Sequence, residues 1–290
     1  MVGDIVDIGG DVATALDRIA RRLESAGVDN AGLDARLLVG AATGESAAGL
    51  IARPERALSS AETDRLAAMT ARRCACEPMS HILGRREFWS LDFDVSADVL
   101  TPRADSETLI EAACEFISPV DRPIRVLDLG TGSGCLLLAL LHEFPAATGT
   151  GVDISPAAID LARRNAMGLG LGARSDFVVG DWTAAIAGRF DIVLSNPPYI
   201  ATANIARLSP EVARYEPRGA LDGGEDGLDA YRTLLPLMSD VLASDGMALF
   251  ELGAGQDEAV SVLARDYGLV IAGLRADIAG ISRVAILRLP

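Results

Sequence analysis

Apolar residues recur every three to four positions from about Asp11 to Glu77, a spacing that predicts a small helical unit. Val12, Leu16, Ile19 and Leu23 make one stripe, and Leu33, Leu37 and Leu38 repeat the pattern. Gly27 and Gly44 punctuate the joins, and Ser59-Ser60-Ala61-Glu62 has the order of a capping box opening a helix toward Cys76. Pro78 closes the region. Leu91, Phe93 and Val95 then alternate with polar residues at the period of a half-buried strand, so a hairpin linking two domains is expected. Thr101-Pro102-Arg103 follows, and then a helix over 105–117 that Pro119 stops.

From residue 124 onward strands and helices take turns. Strands are expected at 124–129, 148–153, 176–179 and 190–194, with helices at 135–143 and 156–167 between them. That order means right-handed βαβ units on a mostly parallel sheet, an α/β architecture. Residues 201–227 show no clear periodic element and end in Gly223-Gly224-Glu225-Asp226-Gly227. A connection of that length is usually functional, and a lid over a substrate is the expectation. A helix over 228–242, a strand over 247–252 and a helix over 256–267 come next, and the apolar runs 269–274 and 283–289 suit a closing hairpin. The expected boundaries are 1–84 for the helical domain, 85–103 for the linker and 104–290 for the sheet domain. The helical part carries no catalytic constellation, which leaves substrate recognition and simple packing as its two readings.

Half of the 290 residues are apolar, ample for a sizeable core. The run from Cys135 to Leu141 is far short of the ~20 residues of a membrane span. Met1-Val2-Gly3-Asp4 offers no basic region ahead of an apolar core, so no secretory signal is expected and the cytoplasm is the expected location. Cys74, Cys76, Cys114 and Cys135 lack paired metal spacing, and the one C-x-C is expected inside a helix. With His81 and His142 standing apart, no metal is expected. All 26 basic residues are Arg and the net charge is −15, a field that opposes a nucleic-acid backbone and suits a partner with basic surfaces.

The candidate chemistry centres on Asn196-Pro197-Pro198-Tyr199, which follows the expected strand and so stands at its C-terminal edge, where open α/β sheets bind ligands. Each proline fixes its own φ and pushes the preceding residue out of the α region. With no N–H on either proline, the segment offers acceptors: the Asn196 side-chain oxygen and the carbonyls around Pro197. A rigid pair of acceptors suits a planar NH₂ group, whose delocalised lone pair makes it a poor nucleophile until it is oriented. Tyr199 is placed to wall or stack on the same group. The competing reading is a strand ending in a proline turn beside a core tyrosine.

Asp128-Leu129-Gly130-Thr131-Gly132-Ser133-Gly134 lies between an expected strand and helix, and Asp153 ends the next strand, where an acid can hold ribose hydroxyls. The loop is one residue shorter than the dinucleotide fingerprint and carries Asp128 beside it. S-adenosylmethionine has no phosphate and bears a sulfonium cation, so an acidic loop is tolerable or helpful to it. Gly180-Asp181-Trp182 places a carboxylate and a ring where an adenine's amino group and face would lie.

Along almost its whole length the chain resembles the N5-glutamine methyltransferases of peptide-chain release factors. The matching segments are 77–84, Arg86-Glu87-Phe88-Trp89-Ser90-Leu91, Val99-Leu100-Thr101-Pro102-Arg103, the loop from Asp128 to Gly134, Asp153, Trp182, Asn196 to Tyr199 and Phe250-Glu251-Leu252-Gly253. Thr101 stands where the family usually carries an aliphatic residue. The resemblance implies a Rossmann-like S-adenosylmethionine-dependent methyltransferase fold, with a mostly parallel seven-stranded sheet, an N-terminal helical domain that grips the protein substrate, and a β-hairpin linker. It implies that Gly130, Thr131, Gly132, Ser133, Gly134, Asp153 and Trp182 hold the cofactor, and Asp181 and Asn196 are expected to join them. It implies further that Asn196, Pro197, Pro198 and Tyr199 bind the glutamine of a Gly-Gly-Gln motif. Asn196 and Pro197 are the expected catalytic residues, and direct transfer by a monomer is expected. Asn-Pro-Pro-Tyr is shared with adenine-N6 DNA methyltransferases, so that activity, glutamine methylation of a ribosomal protein, and a non-catalytic binding module are the alternatives. The acidic balance opposes the DNA reading.

Overall fold

Asp11 opens the first helix by accepting the Thr14 N–H on its side chain at 2.8 Å. The computed structural model describes residues 8–117, 123–184 and 186–290; the expected stop at Pro119 and the segment Met1-Val2-Gly3-Asp4 lie outside them. The chain divides into two units, one running to Gly84 and taking in Ser209–Tyr215, the other made of Arg85–Leu208 and Glu216–Pro290.

In the helical unit α1 (Val12–Ser25) buries Val12, Ala15, Ile19 and Leu23, one stripe at helical spacing. Then come α2 (Ala31–Thr43), α3 (Ala47–Ala52), α4 (Ser60–Cys74) and α5 (Met79–Leu83). The capping box at α4 is formed: the Ser59 side chain accepts the Glu62 N–H, and the Glu62 carboxylate accepts the Ser59 N–H at 2.8 Å. Gly44 and Gly84 end α2 and α5 in the left-handed conformation that only glycine adopts cheaply. Two expectations fail. Leu33 and Leu37 are exposed, at 50% and 42%, because α2 packs on α1 and α4 through Ala35, Leu38, Val39 and Ala42 and turns Asp34 inward. There Asp34 accepts from Arg73 Nε at 2.6 Å, a pairing that a buried carboxylate requires. The C-x-C is not within one helix either, since α4 stops at Cys74 and Cys76 takes φ 64°.

The second unit begins with an antiparallel hairpin, β1 (Arg85–Phe88) and β2 (Leu91–Asp94). Trp89 and Ser90 turn it with φ of 53° and 58°, the left-handed pair that matches strand twist in a two-residue turn. Next are α6 (Glu107–Ile117), β3 (Arg125–Leu129), α7 (Cys135–Glu143), β4 (Thr148–Asp153), α8 (Pro156–Gly168), β5 (Ser175–Val179) and β6 (Phe190–Ser195). The connection 201–227 is not featureless: it holds a 3₁₀ turn at Thr202–Arg207, α9 (Pro210–Tyr215) and a 3₁₀ turn at Arg218–Ala220, each too short to leave a periodic signal. α9 belongs to the helical unit, where Glu211 pairs with Arg73 at 2.6 Å and the Tyr215 hydroxyl donates to the Ala75 carbonyl at 2.9 Å.

The helix expected over 228–242 is broken. It resolves into α10 (Asp229–Leu234), a 3₁₀ turn at Leu235–Leu237 and α11 (Met238–Val241), because Pro236 has no N–H to donate and its ring crowds the preceding turn. β7 (Leu242–Glu251), α12 (Asp257–Asp266), β8 (Val270–Ala276) and β9 (Ser282–Arg288) complete the chain. The seven strands run in the order β5-β4-β3-β6-β7-β9-β8, with β9 antiparallel to both its neighbours and the other pairings parallel.

Strand residues alternate between two cores. Val126, Ile192, Leu194 and Leu249 pack on one face with α6, α7, α8 and the hairpin's Phe88 and Phe93, while Leu127, Val193, Ala248 and Phe250 pack on the other with α10, α11 and α12. Burial on both faces is why these strands read as continuous apolar runs. Among the described residues no helix is long and apolar enough to cross a membrane.

Candidate active site

Sheet register lines up the C-terminal ends of the parallel strands. Leu129 pairs with Val152 and with Ser195, Asp153 with Val179, and Ser195 with Phe250. The residues that follow each strand therefore converge, and β3 is where strand order reverses, the usual place for a ligand. A cavity of about 350 Å³ lies there, lined by Gly130 to Ser133, Asp153, Asp181, Trp182, Asn196 and Pro198 among others.

The glycine loop is shaped by its dihedrals. Gly130, Gly132 and Gly134 take φ of 77°, 54° and 82°, a left-handed series that no side chain tolerates well. Gly130 and Thr131 donate their N–H groups to the Val152 carbonyl, each at 2.9 Å. Asp153 accepts the Gly132 N–H on Oδ2 and the Ser155 N–H on Oδ1, both at 2.9 Å, so one carboxylate ties the loop to the strand end while keeping lone pairs for a ligand. Trp182, with φ 50°, brings its Cζ3 within 3.6 Å of where a Cβ on Gly130 would stand. Asn165 on α8 donates to the Ser133 carbonyl at 2.8 Å and bonds both backbone groups of Asp94, fixing the loop against the hairpin. The charged side chains around the cavity are Asp98, Asp153, Asp181 and Arg103. Three acids against one arginine fit a ligand bearing a cation and oppose a pyrophosphate, so these residues suit S-adenosylmethionine.

Asn196 follows β6 and lines the cavity. Its Nδ2 donates to Ser106 Oγ at 3.1 Å, and Ser106 Oγ donates to Glu251 Oε2 at 2.5 Å. Tyr199 donates its hydroxyl to Glu251 Oε1 at 3.2 Å. Glu251 ends β7, is 1% exposed, and burial pushes its carboxyl up to about 7. Thr101, also on the cavity wall, is buried and donates its N–H to Glu216 at 3.1 Å, the same carboxylate that holds Arg103 at 3.1 Å.

Gly130, Thr131, Gly132, Ser133, Asp153, Asp181, Trp182, Asn196 and Pro198 thus share one cavity, while Gly134 stands behind it as the N-cap of α7. Tyr199 does not wall the cavity as expected; it packs with the core of α10 to α12 because its hydroxyl is drawn to Glu251. Pro197 is buried and is not in the lining. Asp128 does not face the cavity either. It is fully buried beneath the loop, where it accepts from Thr131 Oγ1 at 2.7 Å and burial pushes its carboxyl up to about 7. Ser106 and Asn165 carry no signal in the sequence, and Glu251 stands out only within the family-matching segment Phe250-Glu251-Leu252-Gly253, with no role read for it.

Comparison with known proteins gives this arrangement a family. Residues 14–84 match the PrmC N-terminal domain model and residues 108–211 the Methyltransferase small domain model. The chain is 48% identical to the release factor glutamine methyltransferase of Rhodospirillum rubrum over 94% of its length and 83% of the relative's. It is 46% identical to that of Bradyrhizobium diazoefficiens over 95% and 94% of the two chains. The catalytic domain of hMettl16, solved in complex with a MAT2A 3'UTR hairpin, superposes with a TM-score of 0.54 at 17% identity over 76% of this chain and 81% of that one, a likeness of fold alone. By its relatives and its two matched domains, the chain belongs to the release factor glutamine methyltransferase family.

Proposed function

We propose that this protein transfers a methyl group from S-adenosylmethionine to the side-chain amide nitrogen of the glutamine in the Gly-Gly-Gln motif of peptide-chain release factors. The observation that carries the reading is that Asn196 opens onto the cavity shared by Gly130 to Ser133, Asp153 and Trp182. A hydrogen-bond acceptor for an amide and a cradle for an adenosine-type cofactor stand on one wall.

Gly130, Thr131, Gly132, Ser133, Asp153, Asp181 and Trp182 hold the cofactor, which when bound supplies an electrophilic methyl group on a sulfonium. Gly134 supports the loop from the start of α7. The Asn196 oxygen accepts one N–H of the glutamine amide, and the Pro197 carbonyl, to which no described residue donates, accepts the other. Held by both hydrogens, the amide turns its lone pair to the cofactor. With S-adenosylmethionine bound, methyl transfer to the held amide would leave its nitrogen acidic, and that nitrogen would give one proton to water, so no strong base would be required of the chain. Orientation of this kind supplies up to ~7–11 kcal/mol of a barrier. Pro198 borders the glutamine, and Tyr199 holds the strand end through Glu251. Pro217, Gly219 and Ala220 line the same cavity, which supports a covering role for the connection 201–227. The helical unit takes the grip on the protein substrate. The protein acts in the cytoplasm as a monomer, with no nucleic acid and no membrane as partner.

Incubating the purified protein with S-adenosylmethionine and a release factor tests the reading, with mass spectrometry of the tryptic peptides. The expected result is one added methyl on the Gly-Gly-Gln glutamine. Methyl appearing on another residue, or on DNA supplied in its place, would overturn it.

A further inference from the structure

We infer that Ser106 and Glu251 are positioning residues that fix which end of the Asn196 amide faces the substrate, so that its oxygen meets the glutamine and its nitrogen does not. The inference deepens the proposed methyl transfer and rests on it.

The argument is one of hydrogen-bond direction. Ionised Glu251 is acceptor-only, and two hydroxyls reach it: Ser106 Oγ on Oε2 at 2.5 Å and Tyr199 on Oε1 at 3.2 Å. Ser106 has a single proton, and that proton is committed to Glu251. Its lone pairs therefore face Asn196, which can answer only with N–H, at 3.1 Å. Turning the amide over would set two oxygens against each other with no proton between them. Asn196 Oδ1 receives no hydrogen bond from any described residue and is left for the cavity. A substrate NH₂ needs an acceptor there, and an inverted amide would present NH₂ to NH₂.

Burial makes the relay firm. Glu251 is 1% exposed and Ser106 2%, so water does not compete for either group. Facing Glu251 are Arg283 of β9, which favours its ionised form, Asp105 beside Ser106, which opposes it, Tyr199, Tyr231 of α10 and Cys135 of α7. Tyr231 donates its hydroxyl to the Glu251 backbone carbonyl at 2.7 Å and so anchors the residue without touching its carboxylate. Burial outweighs Arg283 and pushes the carboxyl up to about 7. As pH falls through that value Glu251 gains a proton of its own to donate. Ser106 can then turn its hydroxyl toward Asn196, and the amide inverts.

The test uses the full chain with S-adenosylmethionine and a release factor. Ser106→Ala and Glu251→Gln are expected to lower kcat by roughly ten- to a hundredfold, a loss of the size that misplaced reactants produce. The Kd for S-adenosylmethionine, read by calorimetry, is expected to stay at the wild-type value, which also reports folding. Ser106→Thr, which keeps the hydroxyl, is expected to recover most of the rate lost in Ser106→Ala. The wild-type kcat is expected to fall as pH drops through about 7, and Glu251→Gln to lack that limb. A merely structural role would lower the rate evenly across pH. Absence of turnover in the wild type would sink the assigned reaction, whereas wild-type turnover that survives Glu251→Gln with kcat and pH profile unchanged would overturn the positioning role.

Discussion

Asn165 holds Asp94 by both of its backbone groups, accepting the N–H on Oδ1 at 2.8 Å and donating from Nδ2 to the carbonyl at 3.1 Å. The same Nδ2 also donates to the Ser133 carbonyl at 2.8 Å, so one buried amide couples the end of β2 to the glycine loop. Asn165→Ala leaves the buried Ser133 carbonyl and the part-buried N–H and carbonyl of Asp94 without this partner, and an unpaired buried group costs about 1–3 kcal/mol. The expected outcome is a loss of roughly 3 kcal/mol in urea unfolding, with weakened cofactor binding. Asn165→Asp keeps the acceptor but sets carboxylate oxygen against two carbonyls, and is expected to be no better.

Asn196→Ala removes the acceptor proposed for the substrate amide without touching the glycine loop or Asp153. Turnover is expected to fall by about a hundred- to a thousandfold, the scale seen when one preorganised polar contact is lost. Calorimetry with S-adenosylmethionine is expected to show cofactor binding largely intact. An Asn196→Ala protein that methylates at the normal rate would remove Asn196 from the mechanism.

Much of this was legible before any coordinates. The strands were readable because Val126 to Leu129 and Ile192 to Leu194 are buried on both faces and so form unbroken apolar runs. Asn196 was readable because two prolines restrict its backbone whatever surrounds it. The support behind Asn196 was not. Ser106 and Glu251 lie 145 residues apart, and nothing in the sequence pairs them. Apolar spacing on both sides of Pro236 suggests one helix, which the proline breaks, and the spacing of Leu33 and Leu37 suggests a buried stripe, whereas α2 turns Asp34, Ala35, Leu38 and Val39 inward.

Asp153 accepts two backbone N–H groups and lines the cavity proposed for the cofactor. Asp153→Ala abandons the Gly132 and Ser155 donors and the proposed ligand contact together. Charge-assisted hydrogen bonds of this kind contribute about 1.5–3 kcal/mol, so the Kd for S-adenosylmethionine is expected to rise roughly ten- to a hundredfold. Equilibrium titration checks it. Unaltered affinity would place the cofactor elsewhere.

Asp128 makes stability depend on pH in a direction opposite to most carboxylates. Burial raises its carboxyl from 3.8 to about 7 in the folded protein, so between those values the folded state holds a proton that the unfolded state has released. Its contribution is therefore fully present below about pH 4 and is lost as pH climbs through about 7. Asp128→Asn keeps an oxygen to accept from Thr131 Oγ1 and has no proton to lose. Relative to the wild type, the variant is expected to gain stability steadily from pH 4 to pH 7 and to level off above, as read by urea unfolding at a series of pH values. A difference between the two proteins that stays constant with pH would mean that Asp128 is ionised in its buried site, with Thr131 and the loop amides compensating its charge.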